Sequence, residues 1–339
     1  MWQVCIQIPK TGQQHKKPIR TQFALRTAIE TIIAMKVSSN IFRRLGTELV
    51  SKRSKPLDDR FFVAFYGSNP DVVADFWDML IPRKPKAARP KHLLWALMFM
   101  KLYIPEDALM ILLDASKETV RKWTWFYIEE IALLSEQVID FQKRNRNLPP
   151  NVWCRMSVDG TDFKVQEPQP KDKKRMMSPK FKGSGVKYEV GISIYSGDIV
   201  WVHGPHRGGK HDITIFRENL KHALEEDEMA ECDQGYIGEG NHIRVRDDYT
   251  TEEERREKTR LRLRHETCNR RFKVYGILKQ EYRHDRKKHV LVFHAIACLT
   301  QINIDNGNCL FGCEPVAKKK KEYTLDDLDL DFSSLKVLE

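Results

Sequence analysis

Three carboxylates stand out because their surroundings differ while their chemistry would be shared. Asp159 lies in "MSVDGTD" and Asp233 in "AECDQGY", each an apolar, strand-like run with a glycine within two residues of the acid; Glu266 lies in a helical pattern, flanked by Arg262, Arg264, Arg270 and Arg271. Carboxylates from several elements are what hard divalent cations take as ligands, since Mg²⁺ prefers oxygen, keeps several waters and binds through a few carboxylates plus substrate phosphate. Two such ions can activate an attacking oxygen and stabilise a departing one in a phosphodiester displacement, and arginines meet phosphate in a bidentate fashion. Each residue alone has a plainer reading. The two aspartates could be turn formers, and Glu266 could pair along its helix with Arg262 and Arg270. Asp162, three residues beyond Asp159, is a rival for the first position. "HGPHRGGKHD" offers a different chemistry, because His203, His206, His211 and Asp212 are ligand types that suit iron or zinc. Gly208-Gly209 make that segment a turn, which ranks it below the carboxylates.

The elements that would have to position these residues follow from periodicity. From residue 149 onward short β-rich runs alternate with Gly, Pro and Asp turns: "VWCRMSVDG", "DFKVQEP", "VKYEVGISIY" and "DIVWVHGP". The pattern predicts an antiparallel meander. A helix over "ITIFRENLKHALEE" capped by Asp212, a short strand "MAECD" and two further helices, "LRHETCNRRFKVYGILKQEY" and "KHVLVFHAIACLTQIN", follow. Strand-end carboxylates at Asp159 and Asp233 would then converge at one sheet edge. The expected class is α/β, a mixed sheet with flanking helices.

Residues 58–148 read as all-helical, closed by the prolines of "RNRNLPPN". Within them "PEDALMILLDA" and "KETVRKWTWFYIEEIALL" have the form of a helix-turn-helix, whose second helix would turn Lys117, Thr119, Arg121 and Lys122 toward DNA. An αα-hairpin with a solvated basic face has the same pattern. Residues 1–57 form a basic arm, and residues 303–339 a basic and then acidic tail with a lysine run at 318–321.

Charge agrees with an anionic partner: 58 Lys and Arg against 47 Asp and Glu leave a formal charge of +11. The longest apolar run, residues 93–100, falls short of the roughly 20 residues that span a bilayer, so no membrane is expected. Seven cysteines, an odd number spread along the chain, fit thiols in a reducing compartment better than a disulfide framework. The N-terminal stretch shows no secretory pattern.

Taken together, "SVDGTDF", "KFKGSGVKYEVGISI", "GGKHDITIFR", "CDQGY" and "RLRHETCNRRFKVYGILKQEYRH", with "FYGSNPDVVADFWDML" ahead of them, resemble the DDE-superfamily transposases of the Harbinger type. The resemblance covers about residues 58–300. It implies an RNase H-like core at 149–302, a catalytic and metal-binding triad of Asp159, Asp233 and Glu266, and His211 and Asp212 as active-site neighbours. It also implies two Mg²⁺ or Mn²⁺ ions, strand cleavage followed by strand transfer, and double-stranded DNA contacted by Arg262 and Arg270. A nuclear location, a homo-oligomer on DNA and an accessory DNA-binding protein complete the expectation. The competing expectation is a host-adopted DNA-binding protein that keeps the fold without transposition.

Overall fold

The computed structural model describes residues 37–50, 55–166, 174–245 and 248–313. The basic arm up to residue 36 and the tail beyond 313, with its lysine run, lie outside them. Among the described residues six helices come first: α1 (Ser39–Val50), α2 (Asp59–Tyr66), α3 (Pro70–Leu80), α4 (Pro90–Leu102), α5 (Glu106–Leu113) and α6 (Lys117–Val138). Their boundaries follow local chemistry. Asp58 caps α2 by accepting from the Phe61 N–H, and Gly67 ends it at φ 82, a left-handed conformation that glycine adopts without steric cost. Ser116 caps α6 in the same way through the Thr119 N–H. Helix α4 is buried on every side over residues 92–100, which explains why its apolar run has no polar face.

A turn over Phe141–Asn145 leads into the sheet: β1 (Cys154–Lys164), β2 (Met177–Ser178), β3 (Gly183–Ser193), β4 (Ile199–Arg207), β5 (Met229–Glu231) and β6 (Ile243–Arg244). Helix α7 (Asp212–Glu218) joins β4 to β5; α8 (Glu252–Lys273), the short α9 (Gly276–Lys279) and α10 (His289–Asp305) follow the sheet. Strands β1 and β3 pair antiparallel, as do β3 and β4, whereas β5 is parallel to both β1 and β6. The sheet is therefore mixed, with β1 at its centre between β3 and β5. This is the expected class, with helices on both faces and an all-helical region ahead.

Alternation along β1 sorts the two faces. Phe163, Val186, Tyr188, Val190 and Ile192 belong to the large core that also contains α4, α6 and α10, and Met156, Val158 and Val200 belong to a smaller one with Phe216, Leu220, Ala230 and Tyr236. Helix α10 packs against α6 and against β4, so the helical region and the sheet share one core across residue 148.

Two expectations are corrected here. Gly160 does not end a strand, because β1 continues through it to Lys164, and Asp159 stands mid-strand. The glycine serves a close approach instead: a Cβ at position 160 would stand 2.7 Å from Asp212 Oδ1. Nor does Asp212 cap α7. It is the first residue of that helix, the cap position is His211, and the Asp212 carboxylate is bonded to Lys187.

Candidate active site

Strand β1 is paired in parallel with β5, Ser157 opposite Glu231. Two residues further along both chains the side chains fall on the same face again, so Asp159 and Asp233 come side by side just past the end of β5. Asp233 is extended (φ −84, ψ −178), and its Oδ1 accepts the Gly235 N–H at 2.8 Å as the chain turns into Gln234–Tyr236. The Asx turn that could have been its whole role is thus present, and it leaves Oδ2 uncommitted to the turn. Asp159 is half-buried and Asp233 exposed. Burial raises the Asp159 carboxyl above the usual range, with Lys180 opposing and Asp212 adding to the shift. Burial likewise raises Asp233, and the negative charges of Asp159 and Asp212 raise it further.

The protein supplies little positive charge to this pair. The Lys180 ammonium donates to the Gly160 carbonyl. Lys187 is committed to Asp212 Oδ1 (2.8 Å) and to the Lys210 carbonyl (2.9 Å) on the opposite face of the sheet. Asp162, the rival to Asp159, lies on that opposite face too: it is buried, stands opposite Lys187 in register and accepts the Ser178 hydroxyl. Glu189 is buried there as well, takes the Trp201 indole N–H at 3.0 Å, and is pushed by burial up to about 7.

Helix α8 crosses the face that carries Asp159. A capping box, Thr251 with Glu254, starts this helix at Glu252, earlier than the apolar pattern alone indicated. Lys258 pairs with Glu231 and donates to the Cys232 carbonyl, and burial lowers it to about 8. His265 Nε2 meets Ser157 Oγ at 2.8 Å, and Asn269 Nδ2 donates to Asp159 Oδ2 at 3.4 Å. Glu266 is not brought to the pair. Its carboxylate, 56% exposed, is bonded to Arg262 Nε at 3.2 Å. Sequence reasoning passed over Asn269, and no local signal marks it, because its approach to Asp159 follows from the packing of α8 on β1.

The arginines divide by role. Arg264 is buried and donates to the carbonyls of Ser193, Ile194 and Phe311, and Arg271 donates to those of Asn308 and Cys309, so both tie down the chain. Arg262 and Arg270 stay exposed. At the start of α6, Lys117 pairs with Asp107 (2.8 Å), Arg121 with Glu106 (2.5 Å), and Thr119 bonds Ser116; Lys122 lies over the Trp123 ring. On the other side of the site, Arg175, Pro205, His206, Arg207, Gly209 and Lys210 line an open cleft of about 540 Å³.

His203 and His206 share a 2.9 Å hydrogen bond, and His211 is exposed. Among the described residues no three His, Cys, Asp or Glu side chains are gathered as a ready cage for a metal ion. The Asp159–Asp233 pair nevertheless fits a hard divalent cation: two neighbouring carboxylates repel each other, and the cation nearest them is spent on a backbone carbonyl.

No curated protein and no solved structure matches the chain. Residues 158–301, the stretch from β1 through most of α10, match the family model of the DDE superfamily endonucleases. That stretch holds Asp159, Asp233 and the helix that crosses them, and through it the chain is similar to the DDE superfamily endonucleases.

Proposed function

We propose that this protein is a transposase of the Harbinger type, cutting double-stranded DNA and joining the freed 3′-hydroxyl to a target with the help of divalent cations. The observation that carries the proposal is the pair of under-compensated carboxylates on adjacent strands, inside the segment that matches the endonuclease family. Asp159 and Asp233 would hold the cations, which when bound supply Lewis-acid stabilisation of charge developing on the phosphoryl oxygens. The chain's own residues do the rest. Lys180, at the Gly160 carbonyl, places a positive charge beside the pair where phosphate enters. Lys187, buried, and Asp212, partly buried, form an ion pair under Gly160 that fixes β1. Exposed Arg262 and Arg270 on α8, with Arg175 and Arg207 in the open cleft, hold the DNA backbone to either side. Action in the nucleus, as an oligomer that joins two element ends with an accessory DNA-binding protein, belongs to the same reading.

The test is Mg²⁺- or Mn²⁺-dependent nicking of DNA carrying element ends, with Asp233→Ala as the control. Cleavage lost in the variant supports the proposal, and equal cleavage in both sinks it. A second reading, a host-adopted DNA-binding protein, is favoured by one observation: the Glu266 carboxylate is engaged by Arg262. It requires DNA binding without nicking in the natural chain.

A further inference from the structure

The two acids stand where the pairing of their strands has run out. The parallel pairing of β1 with β5 ends at Ser157 and Glu231, two residues short of Asp159 and Asp233, so it does not set the gap between them. From one face α8 steadies both strands: His265 meets Ser157, Asn269 donates to Asp159, and Lys258 donates to the Cys232 carbonyl. On the other face Asp212 fills the seam. A Cβ at Gly160, the residue after Asp159, would stand 2.7 Å from Asp212 Oδ1, and a Cβ at Gly235, two residues after Asp233, would stand 3.2 Å from Asp212 Oδ2. The first distance is one that real Cβ atoms do not show and the second is tight, so both glycines make room for the same carboxylate. Each of its oxygens lies against one of the two chain segments that carry the acids. Asp212 is itself braced, because Lys187, whose side chain is 4% exposed, holds Oδ1 at 2.8 Å and the Lys210 carbonyl at 2.9 Å.

From this geometry, and resting on the reading of Asp159 and Asp233 as the cation-holding pair, we infer that Asp212 is a positioning residue that sets the separation of that pair, a spacer between Gly160 and Gly235 with Lys187 as its brace. It acts from behind the strands. Its shape therefore matters more than its charge, which Lys187 offsets, whereas a ligand to the cation would show the opposite dependence.

The measurement is Mn²⁺ binding by calorimetry on the full chain, with a thermal midpoint taken for each variant. Lys187→Met with Asp212→Asn removes both charges of the pair and keeps the spacer's shape, so the affinity should stay within about threefold of the natural chain, less than the loss of an outer contact. Lys187→Met with Asp212→Ala has the same net charge but no spacer, and should bind roughly 10-fold more weakly, the scale of a lost outer contact to a ligand. Gly160→Ala in the natural chain should weaken binding to a similar extent, because the new methyl presses on the carboxylate. Added to the Lys187→Met, Asp212→Ala chain, where that carboxylate is gone, it should cost less than about a further twofold. Equal affinity in the Asn and Ala forms overturns the inference, as do additive effects of Gly160→Ala or a loss that merely tracks a lowered thermal midpoint. Equally deep losses in both Asp212 forms, matching that of Asp159→Asn, would make Asp212 a ligand and overturn it too. Should the Asp212→Ala form not fold, Gly160→Ala in the natural chain decides, and unchanged affinity there overturns the inference. Failure of the underlying reading has a separate signature: Mn²⁺ binding unchanged by Asp159→Asn, or none in the natural chain.

Discussion

Two clusters of charge beside β1 are treated in opposite ways. Where the helical region joins the sheet, Arg144 is enclosed: its side chain is 3% exposed and that of Glu228 is 0% exposed, with Nε and Nη2 on the two Glu228 oxygens at 2.8 and 3.1 Å. A third bond goes to the Phe141 carbonyl at 3.1 Å, and Arg155 shares Glu225 with it. Every charge there has a counterpart. At Asp159 and Asp233 two acids face each other, helped by a lysine already in use and a weakly bonded amide. A fold that pairs its charges this thoroughly in one place and leaves two acids together in another marks the second set as its candidate site.

The sharpest way to break the contrast is to neutralise each cluster in turn. Asp159→Asn should lower nicking roughly 10³-fold or more while leaving the thermal midpoint equal or higher, because it removes repulsion; a large fall in midpoint would make Asp159 a structural residue. Arg144→Ala should do the reverse, costing about 3–5 kcal/mol in urea unfolding because it strands a buried carboxylate. The double change Arg144→Met with Glu228→Leu should recover much of that loss, and no recovery would mean that Arg144 acts mainly through Phe141 and Glu225.

A milder test uses histidines buried without charge. His289 is fully buried, bonded at Nδ1 to the Tyr188 hydroxyl (2.8 Å), and burial holds it at about 3; His92 is held at about 4 by burial and by Lys91 and Arg89. Both are depressed below the 6.5 of an unfolded chain, so the unfolded state takes up the proton first on acidification. Their contribution to stability is complete above pH 6.5 and is lost as pH falls from there toward 4 and 3, on the order of 1 kcal/mol per pH unit for each histidine. His289→Gln should flatten that slope, and an unchanged slope would place the acid sensitivity elsewhere.

The smallest expected effect concerns the basic surfaces. Arg175→Ser with Arg207→Ser should reduce the slope of log affinity against log salt for DNA by about 2. Lys117→Ser with Arg121→Ser should leave binding within about twofold, because those cations are already engaged by Asp107 and Glu106. The opposite ranking would restore α6 as a recognition helix.

Much of this architecture was legible in the sequence because it rests on periodicity and on local chemistry. The buried helix over residues 93–100, the meander, and the strand that ends just before Asp233 all follow from apolar spacing and turn residues. What could not be read is what depends on rotation and on distant partners. Gly160 resembles a turn glycine in one dimension, and only the approach of Asp212, from an element more than 50 residues away, shows it to be a mid-strand one. Glu266 and Asn269 lie on one helix, three residues apart, with no local signal that Asn269 meets Asp159; that contact is set by Ser157, Cys268 and Phe272, which fix how the helix packs. Basic residues on α6 looked available because their acidic partners on α5 are separated from them by a turn.

The core shared by α4, α6, α10 and β3 bears on how such a protein can be inherited. Because Tyr188 and Phe293 stack at 3.8 Å between sheet and helix, and α10 then packs on α6, the helical half is part of what keeps the sheet folded. A lineage could not exchange that half for another module without rebuilding the interior, whereas the exposed arginines around the site could change freely. Change would thus be expected to accumulate on the rim, residue by residue, over an interior passed on as a single piece.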